Sequence, residues 1–192
     1  MSNLWLRSAQ ILYLLAPLVV GMALLAIAMR FDLLPRLRKP IDGGATLHGR
    51  RIFGAHKTWR GALCSLIGCI IGVAAQSAIG DRVGRIALIE YATANVLLLG
   101  ATLSLGATGG ELVNSFVKRQ LGVAPGERGD GRIAFGLYVF DQVDSLVTLW
   151  PLLLLWLSPP WPLVALSFVW VFALHQVISL VGYLIGVRRT TL

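Results

Sequence analysis

The sequence predicts an all-α integral membrane protein: five transmembrane helices in one domain, residues 1–192, joined by basic loops on the cytoplasmic side. Three observations lead there. Of the 192 residues, 56% are hydrophobic and only 14% charged, which excludes an ordinary soluble domain. The apolar residues fall into five long runs. The net charge of +8 is gathered in the stretches between those runs. Such placement is a positive-inside pattern and does not indicate a nucleic-acid partner.

The first run, about residues 9–29, is long enough to cross a hydrocarbon core of ~30 Å, with Pro17 as a kink point. No A-x-A-like cleavage site follows it, so it is expected to remain as a membrane helix. Residues 30–60 form a basic loop carrying Arg30, Arg36, Arg38, Lys39, Arg50, Arg51, Lys57 and Arg60. The second run, about 61–79, is rich in Gly, Ala and Ser, which let helices approach closely in lipid. It also holds Cys64 and Cys69, whose spacing points them in different directions and argues against a disulfide. A short turn, GDRVGR, occupies 80–85. The third run, about 86–117, contains Gly100, Gly106, Gly109 and Gly110, where it is expected to bend or break. A second basic, Gly-rich loop at 118–132 carries Lys118, Arg119, Arg128 and Arg132. The fourth run is about 134–157. A turn with Trp156 and Trp161 at a membrane interface follows, and the fifth run, about 163–186, ends at Arg188-Arg189. Five crossings and the charge bias place the N-terminus outside and the C-terminus inside a cell membrane. Only Arg7, Arg82 and Arg85 are left on the outer side.

The chemistry concentrates between Glu111 and Ser145, where Glu111, Asp130, Asp141 and Asp144 are candidate metal ligands. Asp141 and Asp144, spaced i, i+3, share a helical face and lead into an apolar run. Carboxylates so placed are costly unless they pair, bind a cation or face water. Two hard carboxylates suit Mg2+, which commonly binds through one or two acidic groups and substrate phosphates. The blander alternative is an acidic pair that caps a helix or meets arginine. Glu111 shares a face with Asn114 and Ser115, and Lys118-Arg119 follow. In the first loop, Lys57 and Arg60 bracket Thr58 and Trp59; by itself this is an interfacial anchor, and beside carboxylates a phosphate-binding pair. The chain has only three lysines, and Lys57 and Lys118 each stand in a candidate cluster. Gln142 neighbours the aspartates.

The motifs K-T-W-R-G at Lys57–Gly61, N-S-F-V-K-R at Asn114–Arg119 and D-Q-V-D at Asp141–Asp144, with P-I-D-G-G at Pro40–Gly44 and G-R-R-I-F-G before Lys57, resemble the CDP-archaeol synthases, membrane CTP:lipid-phosphate cytidylyltransferases distantly related to the phosphatidate cytidylyltransferases. The matches span roughly residues 40–145 in the family's order. The resemblance implies a five-helix membrane fold with a cytoplasm-facing cavity, and CTP and Mg2+ as ligands. It implies metal binding by Asp141 and Asp144, and nucleotide or phosphate binding by Lys57, Thr58, Arg60, Ser115, Lys118 and Arg119. Asp141, Asp144 and Lys118 are then the expected catalytic residues, with Asn114 and Gln142 as hydrogen-bonding partners of substrate or metal water. In two places the chain departs from the family: Glu111 stands where Asp is usual, and the segment between Arg119 and Asp141 is longer. The expected partners are CTP, a lipid phosphate of archaetidate or phosphatidate type and the surrounding membrane lipids, with no nucleic acid. A homodimer is left open.

Three rivals are weighed against this reading. The D-G-x-x-A-R signature of CDP-alcohol phosphotransferases is absent after Asp42-Gly43. An ion-coupled transporter is disfavoured by the odd helix count and the lack of a repeat. A noncatalytic protein that binds anionic lipid through its basic loops accounts for the charge but not for the acidic pair.

Overall fold

A computed structural model describes residues 2–124, 127 and 131–184. Asp130, Arg128 and Arg188-Arg189 lie outside the described residues. Among the described residues five helices follow one another: α1, Ser2–Arg30; α2, Trp59–Val83; α3, Val96–Gln120; α4, Gly131–Leu153; and α5, Trp161–Leu184. Between α1 and α2 lies a small antiparallel ribbon, β1 (Thr46–Leu47) and β2 (Arg50–Arg51). Leu4–Arg30, Trp59–Gly80 and Val96–Gln120 are long and apolar enough to cross a membrane.

The helices start and stop where local chemistry dictates. Thr58 caps α2, its hydroxyl accepting from Gly61 N at 3.3 Å, and Asn95 caps α3 by accepting from Leu98 N at 3.0 Å. Gly122, at φ +81°, ends α3 in a left-handed turn, its N–H donating to the Arg119 carbonyl. Lys118 and Arg119 lie in that last turn, where the carbonyl ends of the helix favour cations.

Neighbouring helices run antiparallel, and glycines set how closely they meet. A Cβ on Gly68 would lie 2.6 Å from Gly21 N, one on Gly72 2.6 Å from Pro17 Cα, and one on Gly100 2.8 Å from Ile70 Cα. On α3 and α4, a Cβ on Gly106 would come within 2.7 Å of Leu149 Cα, and one on Gly110 within 2.7 Å of Ser145 Cα. These close approaches replace the expected bend, for α3 runs unbroken through Gly106, Gly109 and Gly110. Small residues here let backbones touch without interrupting the helix.

α3 begins at Val96, ten residues later than the onset of the apolar run. Gly84–Ile86, where the expected turn meets the run's onset, is a 3-10 turn, and residues up to Asn95 form a connection that buries Ile89 and Tyr91. Tyr91 packs edge-on against Tyr13, with ring centroids 5.4 Å apart. Apolar sequence marked burial there, and Gly84 (φ +52°) together with the Asn95 cap decided that the helix starts late. α2 meanwhile continues to Val83, past the expected turn at 80.

The apolar core, built around Ile11, Leu14, Val73, Tyr91, Leu99, Leu103, Leu149 and Leu153, occupies the half of the bundle towards the α2–α3 connection. The other half holds the end of α1, the start of α2, the end of α3 and the start of α4. It carries the pairs Lys57–Glu111 and Lys118–Asp141, and the basic ribbon loop docks on α3 there.

Candidate active site

α3 presents Glu111, Asn114 and Lys118 along one stripe, at i, i+3 and i+7. α4 presents Asp141 and Asp144 to it. The Asn114 amide donates from one nitrogen to both carboxylates, 2.6 Å to Asp141 Oδ1 and 2.7 Å to Asp144 Oδ2. Lys118 Nζ stands 2.5 Å from Asp141 Oδ1. Ser145 N and Oγ donate to the other Asp144 oxygen at 2.6 and 3.1 Å. Gly110 is what allows this, because any side chain there would overlap the Asp144–Ser145 backbone. The two carboxylates differ in access. Asp144 is buried, at 5% exposure, whereas the Asp141 side chain is 43% exposed at the mouth.

The basic loop closes the site from the α1–α2 side. Its organiser is Asp42, whose enclosed carboxylate accepts from Gly44 N, Phe53 N and Gly54 N, each at 3.0 Å, and from Arg51 Nη2 at 2.6 Å. Enclosure alone would raise the Asp42 pKa; the Arg51 guanidinium and the three backbone donors outweigh it and hold the carboxyl well below the usual carboxylate range. The folded loop docks on α3 through Arg50, which donates to the Gln120 carbonyl, and Gln120 Nε2, which donates to Arg51 O at 3.5 Å. It delivers Lys57, whose Nζ lies 2.5 Å from Glu111 Oε2.

The structure therefore brings Asn114, Lys118, Asp141 and Asp144 together, with Lys57 and Glu111 alongside. Other expected residues are placed differently. Glu111 is engaged by Lys57, and among the described residues no three acidic, histidine or cysteine side chains form a metal-holding group. Glu111 Oε2 is directed at Lys57 Nζ, while Asp141 and Asp144 share Asn114. Thr58 spends its hydroxyl on capping α2. Arg60 turns towards the end of α1, where Nη1 donates to Asp32 Oδ1 and Leu33 O, both at 3.4 Å. Gln142 faces α5, its Oε1 accepting from Gln176 Nε2 at 3.1 Å, and Tyr138 Oη donates to Gln176 Oε1 at 3.0 Å. Ser115 and Arg119 are half-buried on α3. Sequence reasoning missed Asp42, Gln120 and Gln176. An Asp followed by two glycines is a turn signal that points to the first; for Gln120 and Gln176, whose partners lie 69 and 34 residues away, no local signal exists.

Several buried polar atoms in and near the site lack partners: Asn114 Oδ1, Arg119 Nε and Nη1, and Arg60 Nε. Buried polar atoms are ordinarily satisfied, so orphans in a functional region mark places for a ligand. Two carboxylates with an unpartnered amide oxygen form an all-oxygen donor set suited to a hard divalent cation. The amide nitrogen that now bridges the carboxylates is a donor, and turning the amide over would present Oδ1 beside them instead. The residues present thus fit Mg2+. The unpartnered guanidinium donors of Arg119 suit an anion.

The chain is similar to known proteins over nearly all its length. The family model described as CarS-like CDP-archaeol synthase matches residues 9–191. The CDP-archaeol synthase of Methanosphaerula palustris is 33% identical over 156 residues, which covers 78% of this chain and 87% of that protein. The CDP-archaeol synthase of Methanopyrus kandleri is 31% identical over 156 residues, covering 79% and 78%. A solved structure described as an intramembrane enzyme for archaeal membrane lipids biosynthesis superposes with a TM-score of 0.60 at 23% identity. The match covers 88% of this chain and 92% of that one, and shows a shared fold.

Proposed function

The chain belongs to the CDP-archaeol synthase family, and from that premise we propose that it transfers the cytidylyl group of CTP to a membrane lipid phosphate. In this reaction a phosphate oxygen of the lipid attacks the α-phosphorus of CTP. The bond from that phosphorus to the β-phosphate bridging oxygen breaks, and CDP-lipid and pyrophosphate result. The observation that carries the reading is the pair of carboxylates joined by Asn114, with Lys118 against one of them.

A phosphate monoester is already a nucleophile, so the protein needs to supply position and charge, not a covalent group. Mg2+, held by Asp141 and Asp144 with Asn114, would neutralise charge on the nucleotide's phosphates. Lys118 lies against the exposed carboxylate and reaches the same phosphates as a mobile point charge. Arg119 offers buried N–H donors to a phosphate oxygen, and Lys57 stands at the mouth. Asp144, buried and fixed by Ser145, keeps its place while Asp141 meets the solvent. The gathering of arginine and lysine at this end supports a cytoplasmic site with the N-terminus outside, in a multi-pass membrane protein of five crossings. Soluble CTP and a membrane-bound co-substrate meet only at such an interface.

The test is incubation of the purified protein in vesicles with labelled CTP, Mg2+ and a panel of ether and ester lipid phosphates. Labelled CDP-lipid with stoichiometric pyrophosphate is expected. Failure to form it from any lipid phosphate refutes the proposal, and uptake of solute without pyrophosphate release would favour transport.

A further inference from the structure

We propose that Glu111 is a positioning residue: it holds the Lys57 ammonium at the mouth of the site, ready for a nucleotide's phosphates, and does not bind the divalent cation. This rests on the cytidylyltransferase reading above.

The backbone at Lys57 is pinned on both sides. Its N–H donates to Gly54 O at 3.3 Å, its carbonyl accepts from Ile41 N at 2.8 Å, and Trp59 N donates to Lys39 O at 3.1 Å. The side chain then crosses to α3 and ends 2.5 Å from Glu111 Oε2. The site thereby divides into two sets of partners. Asn114 and Lys118 serve Asp141 and Asp144, while Glu111 serves Lys57. Glu111 Oε2 is directed at Lys57, and Asn114, not Glu111, is the group that meets both aspartates.

The pairing leaves Lys57 useful. An ammonium has three N–H donors, and Glu111 takes one. Lys57 is 27% exposed and Glu111 49%, so an anion arriving from water can reach the remaining two. A free lysine would lose its rotamer freedom on meeting a phosphate; here much of that freedom is gone before the nucleotide arrives. The half-exposed carboxylate is screened by water and salt, which limits its repulsion of the triphosphate.

A double-mutant cycle decides the matter, with CTP affinity measured by calorimetry in the presence of Mg2+ on the full chain in nanodiscs. Glu111→Ala and Lys57→Ala are each expected to weaken CTP binding roughly five- to tenfold, and the double variant to be no weaker than Lys57→Ala alone. Mn2+ affinity, read by electron paramagnetic resonance without nucleotide, should stay within about twofold in Glu111→Ala. Glu111→Gln, which preserves the shape, should shift CTP affinity in the same direction by less. Additive losses, or an approximately tenfold fall in Mn2+ affinity for either Glu111 variant, would overturn the assignment. A wild-type protein that neither binds nor turns over CTP would instead remove the reading on which it rests.

Discussion

At the scale of single residues, Asp141 and Asp144 show how one motif divides its labour. Both carboxylates meet Asn114, yet only Asp141 is open to solvent and to Lys118. Asp141→Asn removes charge without changing shape, and turnover of CTP into CDP-lipid is expected to fall on the order of 10²-fold or more, with the melting temperature nearly unchanged. Retention of near-normal turnover would dismiss the metal assignment. Asp42 acts through the loop that it holds together. Because folding lowers its pKa, its stabilising contribution is complete above the usual carboxylate value near ~4 and is lost as pH falls below it. Thermal unfolding followed from pH 6 down to pH 2 should show that loss begin below about pH 4. Asp42→Ala should destabilise the loop by about 2 kcal/mol at neutral pH and flatten the acid dependence. Equal acid sensitivity in the variant and the wild type would contradict this origin.

At the scale of elements, the contact between α3 and α4 positions the site. Gly110 and Gly109 are neighbours with opposite requirements. A Cβ on Gly110 would overlap the α4 backbone at Asp144 and Ser145, whereas one on Gly109 would meet only Thr148 atoms at 3.8 Å, an ordinary contact. Gly110→Ala is therefore expected to force the helices apart, displacing Asp144 from Asn114, and to cost at least tenfold in turnover together with a lower melting temperature. Gly109→Ala should be tolerated within about twofold. Comparable losses in both variants would mean that the spacing of α3 and α4 is not what sets the carboxylate geometry. The loop between α1 and α2 acts in a similar way, since its fold around Asp42 and its docking through Arg50 and Gln120 bring Lys57 to α3.

At the scale of the whole molecule, the apolar core lies in one half of the bundle and the paired lysines and carboxylates of the site lie in the other. From the positive residues at the site end we propose that it faces the cytoplasm. Cys64 and Cys69 are buried, so single introduced cysteines report sidedness cleanly. His48→Cys should be labelled by a membrane-impermeant maleimide from the cytoplasmic side only, and Glu90→Cys from the outer side only. Reversed labelling would invert the topology and separate the site from its soluble substrate.

The amino-acid sequence alone determined the helical class, the five apolar runs and the residues that bear charge in apolar surroundings. Composition, hydropathy and short motifs are local properties. Asp141 and Asp144 were legible because their spacing places them on one face. Tertiary structure alone decided the partners. It joined Asn114 to both carboxylates, gave Glu111 to Lys57, turned Arg60 towards α1 and Gln142 towards α5, and made Asp42 the centre of a folded loop. The pairings between helices join groups far apart along the chain, and which of them meet is settled by how closely the glycine-lined helices can pack.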